Sequence, residues 1–425
     1  MLNKRAALVV GIMLAVGVTV SGCSRDSRPG ADTTPATLSD GPATGTIELW
    51  AQGTEADLLG TVVKGFEDEN PDVTVNITAI PWASAHQKYQ TAIAGGSTPD
   101  LAQMGTTWMA DFANAFAEVP AAVDTSGIFD SATSAATVAG KTVGVPWYVD
   151  VRALFYRTDL AEKAGYATPP RTWTELKDMA AALQSKAGAT YGIQLPTGAT
   201  ADDFQGILPF LWSSGASLTD ADESKWTLDT PEMVNGMAYV NSYFEDGIAD
   251  RNPNTAVGGV VSGFVDGTAP MLVTSPIAIS LFNEAGGSDF DSKIGVAPLP
   301  TEKSATSFVG GSDLVVFKDA PNADAAWKLV QYLNRPEVQA DFYTMSGDLP
   351  AQESAWSTGT LGTDARLQVF KEQLDDAKSP PALTTWTQVS AAGDKALESM
   401  VRGGVSPEDA LRQLQSAADT AGMGR

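Results

Sequence analysis

An α/β fold in two domains is what this 425-residue chain predicts, on three observations. Strand and helix patterns alternate from Thr46 onward, which favours βα units over an all-helical or all-strand body. The stretch from Thr46 to Arg425 is long for a single hydrophobic core. Proline and glycine pairs punctuate it where one element must give way to the next.

Ile47 and Leu49 alternate ahead of Trp50, then Leu58, Leu59, Val62, Val63 and Phe66 recur at helical spacing, and Val73, Val75 and Ile77 alternate again. That is one βαβ unit, and Asn70-Pro71 ends its helix where the second strand must begin. A second helix over 83–94 stops at Gly95-Gly96, and Pro99-Asp100-Leu101 opens another strand. Further strands are expected over 141–148, 153–156, 269–273, 293–296 and 313–316. Helices are expected over 202–213, 231–245, 277–284, 322–333, 365–376, 389–401 and 407–418. Thr172-Trp173-Thr174-Glu175 has the spacing of a capping box and opens a helix running to Leu183.

The N-terminus has a different character. Lys4 and Arg5 precede an apolar run from Ala6 to Val20, too short for the ~20 residues of a spanning helix and laid out as a cleaved export signal over 1–22. Cys23 closes the run Val20-Ser21-Gly22-Cys23 and is the sole cysteine, so no disulfide can form within the chain. The run resembles a bacterial lipobox, which implies that Cys23 is diacylated and heads a mature chain anchored to the outer face of the cell membrane. Residues 23–45 are rich in Ser, Thr, Pro, Gly, Asp and Ala, and read as a flexible tether.

Charge narrows the partners. With 27 Lys and Arg against 51 Asp and Glu, the net charge is −24, which argues against nucleic acid and against an anionic bilayer surface. The expectation is a monomer that meets the membrane through its lipid alone, with no cofactor and no metal.

Segments spread over the body carry a family resemblance: Ile47-Glu48-Leu49-Trp50, Phe66 to Pro71, Pro99-Asp100-Leu101, Gly144-Val145-Pro146 through Tyr156, Asp159-Leu160, Thr172 to Leu176, Phe264 to Met271, Gly310-Gly311, Ala326 to Leu333, and Gly347-Asp348-Leu349-Pro350. Their order and spacing resembles the extracellular solute-binding proteins of ABC importers, in particular the group of maltose-binding protein and other oligosaccharide binders. The resemblance implies a type II periplasmic-binding-protein fold, two α/β lobes joined by a hinge with the ligand cleft between them. By that analogy the first lobe holds 46–149 and 307–343 and the second 150–306 and 344–425. The partners implied are a saccharide and the membrane subunits of a permease.

A sugar presents C–H faces and hydroxyl edges, so a receptor needs aromatic plates with polar side chains at their rims. Of ten Trp, those at Trp82, Trp108, Trp147 (with Tyr148) and Trp386 lie where α/β sheets open their clefts or beside a helix start. Trp173, Trp226 and Trp327 read as packing residues. The resemblance adds Gln52, Thr54 and Glu55 after the first strand, Asp150 after the proline-bearing strand, Asp203 and Gln205 at a helix start, and Met104, Thr106, Thr107 and Trp108 beyond Asp100. It places Met104 where the family has a stacking tryptophan and Thr274-Ser275-Pro276-Ile277 where it has another aromatic, which points away from maltodextrin. His86, the sole histidine, stays open between ligand contact and exposed helix position. Arg152 either forks ligand hydroxyls or pairs with Asp150. Gly310-Gly311-Ser312 would bring backbone N–H groups near a ligand or simply turn the chain, and Asp348 adds a further acid.

Two other classes stay in view. An extracellular glycoside hydrolase would need paired carboxylates, which Glu55 with Asp150 or Asp203 could supply. Against it stand a single histidine and the lack of a Gly-x-Ser-x-Gly elbow. A polyamine binder would use Glu55, Asp150, Asp203 and Asp348 with Trp faces.

Overall fold

The computed structural model describes residues 38–287 and 289–424, with the backbone alone at Val257. Cys23, the 1–22 signal and the tether up to residue 37 lie outside the described residues. Among the described residues no helix is long and apolar enough to cross a membrane.

The strands, in chain order, are β1 (Gly45–Gln52), β2 (Val73–Ile80), β3 (Leu101–Gly105), β4 (Thr137–Val138), β5 (Lys141–Thr142), β6 (Val145–Val151), β7 (Ala153–Arg157), β8 (Met271–Thr274), β9 (Ile294–Ala297), β10 (Ser307–Val316), β11 (Leu349–Pro350) and β12 (Ala377–Lys378). The helices that bear on the site include α1 (Gly53–Glu69), α2 (Trp82–Gly95) and α3 (Asp203–Ser213).

The first sheet runs β11-β6-β10-β3-β1-β2, with β12 added to β10. β1 lies parallel to β2 and β3, the crossover that α1 makes possible. β10 enters antiparallel between β3 and β6, although just over two hundred residues separate it from β3. The second sheet is the antiparallel set β8-β7-β9. Only Arg152 separates β6 from β7, so the chain steps from one sheet to the other at that residue.

This is the two-lobe periplasmic-binding-protein fold, with a core in each half. Ile47, Leu49, Val63, Phe66, Trp327 and Leu329 anchor the first; Leu176, Phe204, Leu211, Met237, Leu397 and Leu411 anchor the second. The first lobe reaches further along the chain than expected. Residues 344–425 are expected in the second lobe, yet β11 pairs with β6 and Trp356 packs edge-on to Phe129 at 6.1 Å. Leu349 and Trp356 are both buried, and Trp356 Nε1 donates to Pro350 O at 3.0 Å, which ties this segment to the edge strand β11.

Other expectations need correction. Residues 38–44 are not loose: Ser39 donates through N and Oγ to Asp324 at 2.6 and 2.7 Å, Ala43 N donates to Asn70 Oδ1 at 2.8 Å, and Ala43 is fully buried. The two longest helices that escaped the pattern are Val257–Val265 and Pro336–Ser346. Val257–Val265 contains Gly258-Gly259, which reads as a loop, but Val260, Val261 and Val265 pack on a core where Phe264 stacks on Phe282 at 4.0 Å. Pro336–Ser346 begins at a proline, which reads as a break yet suits the first helical turn. The Thr172 cap forms: its Oγ1 accepts from Glu175 N at 3.2 Å, while the Glu175 carboxylate reaches back one residue further, to Arg171 N at 2.7 Å.

Candidate functional site

The cleft floor is set by a buried hydrogen-bond network centred on Gln103 of β3. Its Oε1 accepts from Gln52 N at 2.9 Å, and its Nε2 donates to Tyr148 Oη and Ser312 Oγ, both at 3.2 Å. Ser312 Oγ donates to Tyr148 Oη at 3.0 Å, and Tyr148 in turn donates to Glu55 Oε1 at 2.8 Å. Strands β1, β3, β6 and β10 are thereby tied to the start of α1 by groups away from water, where such bonds are strongest. Burial and the Glu55 carboxylate hold the Tyr148 phenol well above its usual range, so it stays a donor.

Above the floor lie two adjoining compartments of 390 and 290 Å³ that share Trp82, Asp150 and Gly311. The larger has a first-lobe wall of Trp82 and Gly105 to Trp108, and a second-lobe wall of Pro196, Asp202, Asp203, Gln205 and Gly206. Val273, Phe308 and Gly310 complete it with Arg152. The smaller sets Glu55, Tyr148, Gly347 and Asp348 against Ser275, Pro276 and Ile277.

Trp82 opens α2 and is 36% exposed, unusual for so large a ring unless it has something to cover. Its ring centroid lies 5.5 Å from that of Trp108, tilted by 59°. Gly53, at φ +58°, makes room for it: a Cβ there would fall 2.6 Å from Trp82 Nε1 and 2.5 Å from Glu55 Oε2. Gly311, at φ +122°, brings β10 onto β6, where a Cβ would meet Tyr148 O at 2.2 Å. Gly310 lies directly across from Asp150, so no side chain blocks the carboxylate from that side.

The charges are uneven. Arg152 Nη2 pairs with Asp150 Oδ2 at 3.0 Å, and its guanidinium lies over Phe308 at 5.6 Å. Asp150 Oδ1 is shielded from water and has no protein partner. Burial, helped by the Glu55 and Asp150 charges, pushes the Asp348 carboxyl up to about 7. Across the cleft Asp202 sits at φ +68°, a strained conformation for a non-glycine residue. Asp394 holds it there, accepting from Asp202 N at 3.2 Å and from Phe204 N at 2.8 Å, while the Gln205 amide bonds the Asp202 carboxylate.

The structure thus brings Glu55, Trp82, Thr106, Thr107, Trp108, Tyr148, Asp150, Arg152, Asp203, Gln205, Gly310, Gly311 and Asp348 to one cleft. Asp203 lines it while spending its carboxylate on Thr197 N and on Thr200 Oγ1. Seven expected contacts do not line either compartment, among them Thr54, whose hydroxyl donates to Glu55 Oε2 at 3.4 Å. Gln52 is buried, donating to Tyr89 Oη at 2.5 Å and Gln103 O at 3.0 Å. Ser312 is consumed by the floor network. Met104 is buried in a third core cluster with Tyr89, Met109 and Phe112. Trp147 points to the opposite face of β6 from Tyr148, packing on Phe342 at 4.5 Å, because neighbours on a strand alternate. Trp386 is 2% exposed, 6.3 Å from Trp226 in the second core. His86 stands behind the wall, bonded to Asp111 and edge-on to Trp108 at 5.4 Å. Missed were Asp202, Pro196, Phe308 and Gln103. Asp202 could have been flagged beside Asp203; Gln103 looked like one polar residue in an apolar strand.

Among the described residues no group of three His, Cys, Asp or Glu side chains is placed to hold a metal ion. The model of the bacterial extracellular solute-binding protein family matches residues 50–340. The chain belongs to this family. As a solute-binding protein it is 29% identical to a binding protein of Brucella abortus over 366 residues, covering 84% of this chain and 88% of that one. It is 25% identical to the maltotriose-binding protein of Pyrococcus abyssi over 374 residues, covering 83% and 78%. Among solved structures, the sugar-binding protein MalE of Xanthomonas citri superposes with a TM-score of 0.82 at 31% identity, covering 89% of this solute-binding protein and 97% of that chain.

Proposed function

We propose that this solute-binding protein captures a di- or oligosaccharide in the two-compartment cleft and delivers it to the permease of an ABC importer. The supporting observation is the exposed Trp82 ring beside Trp108, rimmed by Glu55, Asp150, Arg152, Asp203 and Gln205. A plate for the C–H face and planar acceptors and donors for the hydroxyls are what a neutral sugar requires. The named ligands of the Pyrococcus and Xanthomonas relatives agree with that chemistry. The chain acts by binding rather than catalysis, as a monomer. Because both lobes supply walls, ligand contacts are complete only when the lobes close, and binding energy shifts the hinge equilibrium that way. Cys23 anchors the chain to the outer face of the membrane through its lipid, after removal of 1–22.

A thermal-shift panel of mono- and oligosaccharides tests the reading, since a tight ligand raises the midpoint by mass action. A rise with at least one oligosaccharide and no cleavage product is expected. No response to any saccharide, together with micromolar spermidine binding, would instead support a polyamine carrier. That second reading draws on the acids: Glu55, Asp150, Asp202, Asp203 and Asp348 face the compartments against Arg152 alone. Labelled palmitate incorporated by the wild type and lost in Cys23→Ala tests the anchor.

A further inference from the structure

A polar contact between the lobes lies beside the aromatic wall. Asp111, in the short helix Met109–Phe112 that follows Trp108, presents one carboxylate oxygen to two donors. His86 Nε2 lies 2.8 Å from Asp111 Oδ2, and Thr387 Oγ1 donates to the same atom at 3.4 Å. The donors come from different halves. His86 sits on α2 with its ring against Trp108 at 5.4 Å and Phe112 at 4.8 Å, all within the first lobe. Thr387 is exposed on the helix Trp386–Val401, whose Trp386, Val389 and Leu397 are buried in the second core.

The two bonds therefore respond differently to lobe motion. His86 to Asp111 joins groups of one lobe and survives opening. Thr387 to Asp111 spans the cleft and exists only while the lobes are close, so it has a free energy that differs between the two states. A fixed carboxylate is a better acceptor than a mobile one, because no rotamer entropy is lost when the hydroxyl arrives. The same histidine that fixes Asp111 braces Trp108, so closing also steadies the cleft wall.

We propose that Asp111 is a positioning residue, a latch set by His86 and engaged by Thr387, which holds the closed form and lengthens ligand residence. The proposal rests on the cleft being the ligand site, and the test separates the two. On the full chain, Thr387→Ala removes an exposed hydroxyl together with its methyl, and Thr387→Ser removes the methyl alone. Small-angle scattering without ligand should show a larger radius of gyration than wild type. Stopped-flow tryptophan fluorescence with maltotriose should show dissociation faster by about 3- to 10-fold at unchanged association. Thr387→Ser should restore both, which a loss of packing at the methyl would not. Asp111→Ala combined with Thr387→Ala should be no worse than Asp111→Ala alone. Wild-type scattering and wild-type dissociation in Thr387→Ala would overturn the latch. Should the parent protein give no maltotriose signal, maltotriose is not its ligand and scattering alone decides: expansion in Thr387→Ala sustains the latch, an unchanged profile ends it.

Discussion

The two walls of the cleft are built from opposite materials. The first lobe offers aromatic rings on the rigid ends of a strand and a helix, Trp82 and Trp108, backed by His86 and Phe112. The second offers the polar start of the helix Asp203–Ser213, Asp202 to Gly206, whose carboxylates already accept from Gln205, Thr197 and Thr200. One wall supplies area and the other supplies direction. Affinity should then follow the first and selectivity among hydroxyl patterns the second, because a buried plate contributes through desolvated area and a pre-set acceptor through geometry.

The sharpest way to break this contrast is Trp82→Ala. Loss of the exposed plate should raise the saccharide Kd by about 100-fold in calorimetric titration, with little change in melting temperature. An equal loss from Asp203→Asn would erase the distinction between walls.

Next in size is a stability effect under the first wall. Asp313 of β10 is fully buried, neither oxygen has a partner, and burial pushes its carboxyl up to about 8. The folded state keeps a proton that the unfolded chain releases near pH 4, so stability falls as pH rises from about 4 to 8 and levels off above. Asp313→Asn should therefore stabilise the protein by about 2 kcal/mol at pH 8 and hardly at all at pH 4, read by urea unfolding at both values.

Asp150→Ala should follow, weakening saccharide binding by about 10-fold without unfolding the body, since Arg152 is then left facing the cleft without its counter-charge. Unchanged affinity would remove Asp150 from the site. The smallest effect belongs to the second wall. Asp202→Gly relieves the positive φ and should leave stability within about 0.5 kcal/mol or raise it slightly, while selectivity among epimeric sugars narrows by a few-fold. A large loss of affinity there would make the polar wall an anchor after all.

Much of this was legible along the chain because it is local. Period-two runs in β1 and β2, helical spacing in α1, the stop at Gly95-Gly96 and the Thr172 cap each depend on neighbours within a few residues, and each forms. Failures came where long-range packing overrides a local signal: Gly258-Gly259 lies in a helix because its valines have a core to cover, and the Leu349-Pro350 edge stays with the first lobe because β6 accepts it.

The chain's order of residues alone determined an α/β body, its family and roughly which segments approach the cleft. Only the tertiary structure decided which face of each strand looks into it. Trp147 and Tyr148 are adjacent, equally aromatic and equally plausible as plates, and a pleated strand must send them to opposite sides. The choice rests on what lies beyond: Phe342 for one, Glu55 and Ser312 for the other, from segments roughly 90 to 200 residues away.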